Sequence, residues 1–195
     1  MIRHIKPGDV VFDIGAHVGH MTHLAARRVG PSGKVVAFEP NANLHWPASL
    51  ANAPNVTLYR VALSDAEQDR TLHLDVTNQM ASSFHEMYGA RAQDTVVHCT
   101  TLDSICKETG LQPSFIKMDC EQHEPLVFAG GWTTIESLWP TIVLEFPEQA
   151  PGYPDLFARL SRRYALITLE DGAPLVAPFH RRTPAGYCNV ACVLK

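Results

Sequence analysis

Two acidic residues and a glycine-bearing turn near the N-terminus have the types and spacing of a small-molecule site. Asp13 lies near the end of an apolar run, the turn Gly15-Ala16-His17-Val18-Gly19 follows, and Glu39 ends the next run. Such a turn between a strand and a helix brings backbone N–H groups and a helix N-terminus beside a ligand. Asp13 disfavours a pyrophosphate and favours a cationic ligand with a free amino group. Glu39 is placed to accept both hydroxyls of a ribose.

These features together favour S-adenosylmethionine over a dinucleotide. The dinucleotide fingerprint is G-x-G-x-x-G, and its middle glycine is missing here. S-adenosylmethionine carries an ammonium group, a sulfonium and a ribose diol, each of which can interact favourably with a carboxylate such as Asp13 or Glu39. It also carries a carboxylate of its own. Each feature has another interpretation when taken alone. Glu39 suits NAD equally well or could be a solvated strand end, and the turn could serve packing only.

A second group of polar residues follows the apolar run FIKM, at Asp119, Glu121, His123 and Glu124. Ligands of open α/β folds bind at the carboxyl ends of the strands. Asp119, Glu121 and His123 are therefore the candidate catalytic residues, with His123 as a candidate general base. The alternatives are a helix cap for Asp119, a loop hydrogen bond for Glu121 and a surface position for His123. Glu124 is expected in a first helical turn, where the macrodipole favours it.

Metal binding is the weaker hypothesis. Asp119 and Glu145, at the ends of two strands expected to be neighbours, could share a divalent cation through oxygen ligands. Two carboxylates are too few ligands to assert such a site. His17, His20 and His23 are spaced by three, and on a helix each step rotates the side chain by about 300°. The three rings therefore diverge, and no metal site is predicted.

Short apolar runs rich in β-branched and aromatic residues predict the strands that position these groups. They read as strands buried on both faces of a parallel sheet. A helical spacing of Met21, Leu24, Ala25 and Val29 lies between the first two runs and completes a βαβ unit. The runs cover residues 10–14, 34–39, 56–62, 115–119 and 141–146. The alternation predicts an α/β fold.

Two further pairs of segments complete the predicted architecture. Residues 70–76 and 95–102 alternate apolar and polar side chains, which predicts an antiparallel ribbon added after the third strand. The polar linker inside it is typical of a functional or disordered insertion. A helix at residues 154–164 and strands at 165–170 and 187–194 are expected to close the sheet with one antiparallel edge. We predict one domain over residues 1–195.

Composition narrows the class of protein. The chain has 195 residues, of which 46% are hydrophobic and 18% charged, and a net charge of -4. These values are ordinary for a globular domain and argue against a nucleic-acid or membrane partner. The N-terminus has no signal-peptide pattern. The five scattered cysteines favour reduced thiols in the cytoplasm, with Cys188 and Cys192 as small core residues.

Five blocks in this order resemble the FkbM family of S-adenosylmethionine-dependent methyltransferases. They are VFDIGAHVGHMT, VVAFEPN, VALSD, TTLDSI and FIKMDCEQHE. The resemblance implies a class I methyltransferase (Rossmann-like) sheet of seven strands with the last strand antiparallel. It implies O-methylation of a hydroxyl on a sugar or another secondary metabolite. It also implies an adenine pocket walled by Pro40, Ala62 and Leu63. Because His17 lies in the turn after the first strand, we expect it near the methionine end of the cofactor.

The chain departs from the family pattern at two residues and at its start. His17 replaces the usual asparagine, and Gln122 replaces a glycine near the expected acceptor. The first strand follows only nine residues, whereas family members often carry an N-terminal cap. The pocket is therefore expected to be open or to be completed by a second subunit in a homo-oligomer.

The leading prediction is a cytoplasmic S-adenosylmethionine-dependent O-methyltransferase that acts on a small hydroxylated molecule. Asp13, Gly15, Gly19 and Glu39 are expected to hold the cofactor, whose product is S-adenosylhomocysteine. The main alternative is a catalytically inactive binding or scaffold protein with the same fold. An NAD-linked oxidoreductase is the third possibility, disfavoured by the missing glycine.

Overall fold

The computed structural model describes residues 2–75, 82–84, 92–147, 150–176 and 187–195. A short 3-10 turn (Ile2–His4) precedes the first strand. The elements are, in chain order, β1 (Val10–Ile14), α1 (His20–Val29), β2 (Lys34–Phe38), α2 (Ala48–Ala51), β3 (Val56–Tyr59), β4 (Ala62–Leu63), β5 (Gln68–Asp75), β6 (Ser82–Ser83), β7 (Ala92–Thr100), α3 (Leu102–Thr109), β8 (Phe115–Met118), α4 (Glu124–Ala129), α5 (Trp132–Leu138), β9 (Thr141–Pro147), α6 (Tyr153–Leu160), β10 (Tyr164–Thr168) and β11 (Tyr187–Leu194).

The main sheet has seven strands in the order β10-β11-β9-β8-β1-β2-β3. β1 lies between β2 and β8 and is parallel to both. β11 is antiparallel to both of its neighbours, β9 and β10. The sheet confirms the predicted seven strands and the antiparallel direction of the last one.

Alternate residues of the central strands face two different layers. Phe12 and Ile14 of β1 belong to a large core that includes side chains of α3, α4, α5 and α6. Val11 points the other way and packs with Ala25 and Val29 of α1. Because both faces of the sheet are covered, the strands are continuous apolar runs rather than alternating ones.

The added ribbon forms a second sheet in the order β4-β7-β5-β6. β5 and β7 pair antiparallel along the whole of β5, from Gln68 opposite Cys99 to Asp75 opposite Ala92. The expected alternation holds, since Val97 is buried and Val96 is 71% exposed. The predicted antiparallel ribbon is thus confirmed, although most of its linker lies outside the described residues.

The predicted strand over residues 56–62 is wrong, because it is two strands. β3 ends at Tyr59, and β4 leaves the main sheet to pair in parallel with β7. Between them, the Arg60 guanidinium donates to the carbonyls of Asn41 and Leu44, each at 2.8 Å. These bonds hold the chain to the loop after β2, so the backbone turns where the sequence reads as one apolar run.

Three of the five cysteines, Cys99, Cys188 and Cys192, are buried, and Cys106 and Cys120 are partly buried. All five fall within the described residues, and all are thiols rather than disulfides. Cys188 and Cys192 are buried on β11, as core residues in agreement with their predicted role. In the described part of the chain, no helix has the length and apolar character to span a bilayer.

Candidate functional site

A cavity of about 580 Å³ lies at the carboxyl ends of β1, β2 and β8. The turn after β1 and the end of β2 form one side, and the loop after β8 forms the other. Leu72 of β5 and Phe84, which follows β6, complete the wall. Parallel strands end at the same edge of a sheet, which is why segments far apart in sequence meet here.

Gly15 allows the turn after β1 to approach the end of β8. Its φ is +74°, and a Cβ at this position would lie 1.9 Å from the carbonyl oxygen of Asp119. The N–H groups of Gly15 and Ala16 donate to the carbonyl of Phe38 at 3.0 and 3.1 Å. They are therefore committed to β2. The expectation that N–H groups of this turn face a ligand is wrong for these two residues, and the turn is not a phosphate-binding nest.

Gly19 serves packing rather than lining the cavity. Its φ is +84°, and a Cβ would lie 2.4 Å from Leu50 Cδ2 and 3.0 Å from Trp46 Cε2. The indole N–H of Trp46 in turn donates to the carbonyl of His17 at 2.8 Å. Gly19 thus lets the segment around α2 brace the turn, while Gly15, Ala16 and His17 line the cavity.

Glu39 lies where the sequence places it, at the edge of the cavity beside Pro40, Ala62 and Leu63. Its side chain is held by two backbone N–H groups, His17 on Oε2 and Asn41 on Oε1, each at 2.8 Å. Burial raises the pKa of Glu39, and these two hydrogen bonds oppose that effect. Since each carboxylate oxygen has two lone-pair sites, both oxygens retain the capacity to accept a ribose hydroxyl.

Asp13 is not among the cavity-lining residues, although the sequence suggested that it faces the cationic end of a ligand. Its Oδ2 accepts a hydrogen bond from the Thr22 hydroxyl at 2.6 Å. Its Oδ1 lies 3.4 Å from Lys117 Nζ and accepts no hydrogen bond from the described residues. At that separation the contact is an ion pair, and Asp13 supports the site through Lys117.

Lys117 is the functional residue that sequence reasoning missed. It lines the cavity, its ammonium group donates to the carbonyl of Gly15 at 2.9 Å, and it lies 3.5 Å from Asp119 Oδ2. Burial alone would lower the pKa of Lys117, but Asp13 and Asp119 outweigh burial and raise it. The available signal was a lysine inside the apolar strand FIKM, since a lysine is rarely buried without a charged partner.

Three further carboxylates line the cavity. Asp119, Glu121 and Glu145 line it together, with Lys117 as a neighbouring cation. Burial, and then Asp119 and Glu124, raise the pKa of Glu121. Burial, followed by the charges of Asp119, Glu121 and Glu124, raises the pKa of Glu145 to about 7. The excess of carboxylates favours a cationic ligand over an anionic one.

The loop after β8 is held in a strained shape by Glu124. Glu121 and Gln122 both have positive φ, 52° and 71°. Glu124 Oε1 accepts the N–H of Cys120 at 2.7 Å, and Oε2 accepts the hydroxyl of Tyr153. Glu124 is only 1% exposed. It therefore closes the loop that carries Glu121 and His123, in addition to its expected place in the first turn of α4.

His123 is a buried cavity residue, not a surface residue. It is 2% exposed, and its ring lies 4.5 Å from that of Phe84, centroid to centroid. Its Nε2 lies 3.0 Å from Ser64 Oγ. The loop after β8 therefore brings Asp119, Glu121 and His123 to the cavity together, as the sequence suggested.

The arrangement can bind a cation and accept a proton. Within the described ranges, no group of three or more His, Cys, Asp or Glu side chains is arranged to hold a metal ion. His17 and His20 line the cavity and His23 does not, while His20 and His23 are both exposed. The carboxylates, Lys117 and His123 of the cavity offer acid–base and electrostatic chemistry.

Comparisons with known proteins give one family. The model of the methyltransferase FkbM domain matches residues 13–164. A methyltransferase FkbM from Methylobacillus flagellatus KT has a similar structure, with a TM-score of 0.58 and 15% identity over 95% of this chain and 44% of that one. Fibrillarin from Aeropyrum pernix, whose structure contains bound S-adenosyl-L-methionine, has a TM-score of 0.56 and 10% identity over 97% of this chain and 68% of that one. None of the curated proteins matches the chain.

Proposed function

On the premise that the chain belongs to the FkbM family of methyltransferases, we propose that it transfers a methyl group from S-adenosylmethionine to a hydroxyl group of a small molecule. Family membership gives the fold and the cofactor, S-adenosylmethionine. The chain spans 44% of the length of the FkbM structure that it resembles. The hydroxylated acceptor and the O-methylation reaction are therefore proposed for this chain.

The described residues fit the cofactor. Glu39 has lone pairs for the ribose hydroxyls, and Pro40, Ala62 and Leu63 form the wall beside it. The acidic surface of Asp119, Glu121 and Glu145 favours the positive charges of the ligand, whereas a pyrophosphate would be repelled. The N–H groups of Gly15 and Ala16, already bonded to Phe38, are also unsuited to a pyrophosphate.

The loop after β8 supplies acid–base chemistry for the molecule that accepts the methyl group. When bound, S-adenosylmethionine supplies an electrophilic methyl group on a sulfonium. A neutral hydroxyl is a poor nucleophile and needs a base as the new bond forms. His123 is the candidate base, and Asp119 and Glu121 lie on the same loop to orient an acceptor. Phe84 packs against the His123 ring, and Leu72 also lines the cavity. Apolar walls of this kind strengthen electrostatic interactions by reducing the contact of polar groups with water.

One observation carries the proposal: a single cavity contains both Glu39 and His123. A carboxylate able to accept ribose hydroxyls and a buried imidazole able to act as a base, both lining one cavity, support methyl transfer between two molecules bound there. Holding the two reactants in one cavity also accounts for much of the rate, because alignment can lower the barrier by roughly 7 kcal/mol.

Binding is tested by calorimetric titration with S-adenosylhomocysteine. Wild type is expected to bind, and Glu39→Gln, which removes the charge that ribose hydroxyls donate to, is expected to bind at least about tenfold more weakly. Glu108→Gln, at an exposed residue of α3, is the matched control and should bind like wild type. Folded wild-type protein that gives no binding contradicts the cofactor site.

Transfer is tested with a radiolabelled methyl group on S-adenosylmethionine and a panel of sugars, phenols and amines. The expected result is label on a hydroxylated acceptor, with His123→Gln lowering turnover by about 10²–10⁴-fold while binding of S-adenosylhomocysteine is retained. Label on amines alone contradicts O-methylation. Binding without transfer to any acceptor supports the inactive scaffold instead.

The thiol state of the cysteines is consistent with a reducing compartment. We propose that the enzyme acts in the cytoplasm. Fractionation of cells that express the full-length protein checks this placement, and recovery outside the cytoplasmic fraction contradicts it.

A further inference from the structure

Ser64 contacts His123 from the segment that follows β4. Ser64 is fully buried, and its Oγ lies 3.0 Å from His123 Nε2. The same oxygen lies 2.9 Å from Asp65 Oδ1 and 3.3 Å from Arg70 Nη1. One hydroxyl thus contacts three polar groups, of which only the imidazole can be either donor or acceptor.

The position of the hydroxyl is fixed by its backbone. The Ser64 N–H donates to the carbonyl of Thr100 at 2.8 Å. Its own carbonyl packs against Gly130 so closely that a Cβ there would lie 2.1 Å from the oxygen. Ser64 therefore has little freedom to move away from His123, and the hydrogen-bond pattern around its Oγ is determined by donor and acceptor capacity.

Counting protons assigns every bond of Ser64 Oγ. A hydroxyl has one proton to donate and two lone pairs to accept with. An ionised carboxylate only accepts, so the proton of Ser64 goes to Asp65. A guanidinium only donates, so Arg70 uses one lone pair. The second lone pair is left for His123, and it requires a proton on Nε2.

We propose that Ser64, Asp65 and Arg70 are positioning residues that keep the proton of neutral His123 on Nε2, so that the proton-accepting lone pair of the neutral ring is on Nδ1. This inference rests on the proposed function for the role of His123 as a base. In that reaction the O–CH₃ bond forms as the S–CH₃ bond breaks. The hydroxyl proton moves to Nδ1, S-adenosylhomocysteine leaves, and the imidazolium then returns the proton to water.

The charges around this network favour the same assignment. Asp65 and Arg70 also form an ion pair at 3.8 Å, with their side chains 40% and 31% exposed. The Arg70 guanidinium lies 5.3 Å from the centroid of the Phe84 ring, which in turn packs on His123. The guanidinium is thus held on both sides, and it cannot exchange its role as donor.

The tautomer is measured directly by NMR on protein with ¹⁵N-labelled histidine. Long-range proton–nitrogen correlation spectra distinguish a protonated from an unprotonated ring nitrogen, at a pH where the ring is neutral. The His123 signals are assigned from contacts to the Phe84 ring and from their loss in His123→Gln. In wild type we expect Nε2 protonated and Nδ1 unprotonated.

The variants test which residues set the tautomer. Asp65→Ala leaves the Ser64 proton free to point at Nε2, so the ratio of Nε2–H to Nδ1–H is expected to fall at least about fivefold, the equivalent of one ordinary hydrogen bond. Ser64→Ala removes the oxygen that accepts a hydrogen bond from Nε2–H, so the ratio of Nε2–H to Nδ1–H is expected to fall in this variant too. Asp69→Ala removes a carboxylate of β5 that contacts His98 instead, and it should leave the ratio unchanged. A merely structural role would give the same tautomer in all variants.

Two results overturn the inference: a wild-type neutral ring protonated on Nδ1, or an unchanged ratio in both Asp65→Ala and Ser64→Ala. The measurement needs neither cofactor nor acceptor. A failure of methyl transfer in the radiolabel assay therefore leaves the tautomer result standing, and the two failures are distinguishable.

Discussion

Lys117 Nζ lies 3.4 Å from Asp13 Oδ1, and both side chains are almost completely buried at the centre of the sheet. The pair connects β1 and β8, the two strands whose ends carry the two halves of the cavity. Asp13 Oδ1 accepts no hydrogen bond from the described residues, so the ion pair with Lys117 is the contact that compensates for the burial of this oxygen.

Lys117→Met is expected to destabilise the protein by about 3–5 kcal/mol, because it leaves the buried carboxylate of Asp13 without a counterion. Asp13→Asn combined with Lys117→Met removes both charges and should recover part of the loss. Denaturant unfolding gives the free energies. Lys107→Met, at an exposed residue of α3, is the control. A Lys117→Met variant as stable as the control contradicts the pairing.

Gly15→Ala is expected to be about 1–3 kcal/mol more destabilising than Gly110→Ala. Both glycines have a similar positive φ, +74° and +68°, but only at Gly15 does the added Cβ meet another atom within 4 Å, the carbonyl of Asp119. The difference therefore isolates the close approach of the two loops from backbone strain. It is measured by thermal and denaturant unfolding. Equal losses in the two variants mean that the turn can move away from β8.

Gln122→Gly is expected to stabilise the protein by about 0.5–1 kcal/mol. At φ +71° a residue with a Cβ strains the folded protein by about 1–2 kcal/mol, and glycine relieves this strain. Glycine also makes the unfolded chain more flexible, which offsets about 0.4–1 kcal/mol of the relief. Gln112→Gly, at an exposed residue without positive φ, should instead lose stability. Denaturant unfolding compares the two, and destabilisation by Gln122→Gly is the contrary result.

Glu145 is expected to make stability depend on pH. Its pKa is raised to about 7 in the folded state, so the folded protein holds this proton more tightly than the unfolded chain does. Its contribution is therefore most favourable below the ordinary glutamate pKa of about 4.3, and it declines as pH rises towards 7. After allowance for solvent screening, the change is on the order of 1–2 kcal/mol.

Unfolding of wild type and Glu145→Gln at pH values from about 5 to 8 tests this dependence. The variant should lose less stability over the interval, since its side chain cannot ionise. Glu108→Gln should follow the wild-type curve, because this glutamate is exposed. Parallel curves for wild type and Glu145→Gln mean that Glu145 ionises normally in the folded protein.

The sequence was sufficient for features that depend on local pattern. β1 has the predicted bounds because a strand buried on both faces is mostly apolar, here VVFDI with Asp13 as its one polar residue. The β5–β7 ribbon was predicted because one of its faces is exposed to solvent, so that apolar and polar side chains alternate along each strand. The loop after β8 was also recognised, since its polar residues follow a strand directly.

Features that depend on distant contacts were not predicted. The break between β3 and β4 results from the Arg60 guanidinium reaching the loop after β2. The withdrawal of Asp13 from the cavity results from Lys117, which lies about a hundred residues further along the chain. The bond between Ser64 and His123 likewise joins segments 59 residues apart. A local sequence pattern does not indicate which distant side chains the folded chain brings into contact.

Leu72 and Phe84 reach the cavity from the inserted second sheet, whereas Glu39 and the turn at Gly15 belong to the seven-stranded one. The second sheet also carries Ala62 and Leu63 of β4, so in the proposed function it forms part of the adenine wall as well as the side of the cavity at Leu72 and Phe84, whereas the ribose-binding carboxylate of Glu39 follows β2. Exchange of the Leu72 and Phe84 side chains is therefore expected to change acceptor preference while Glu39 continues to hold the methyl donor.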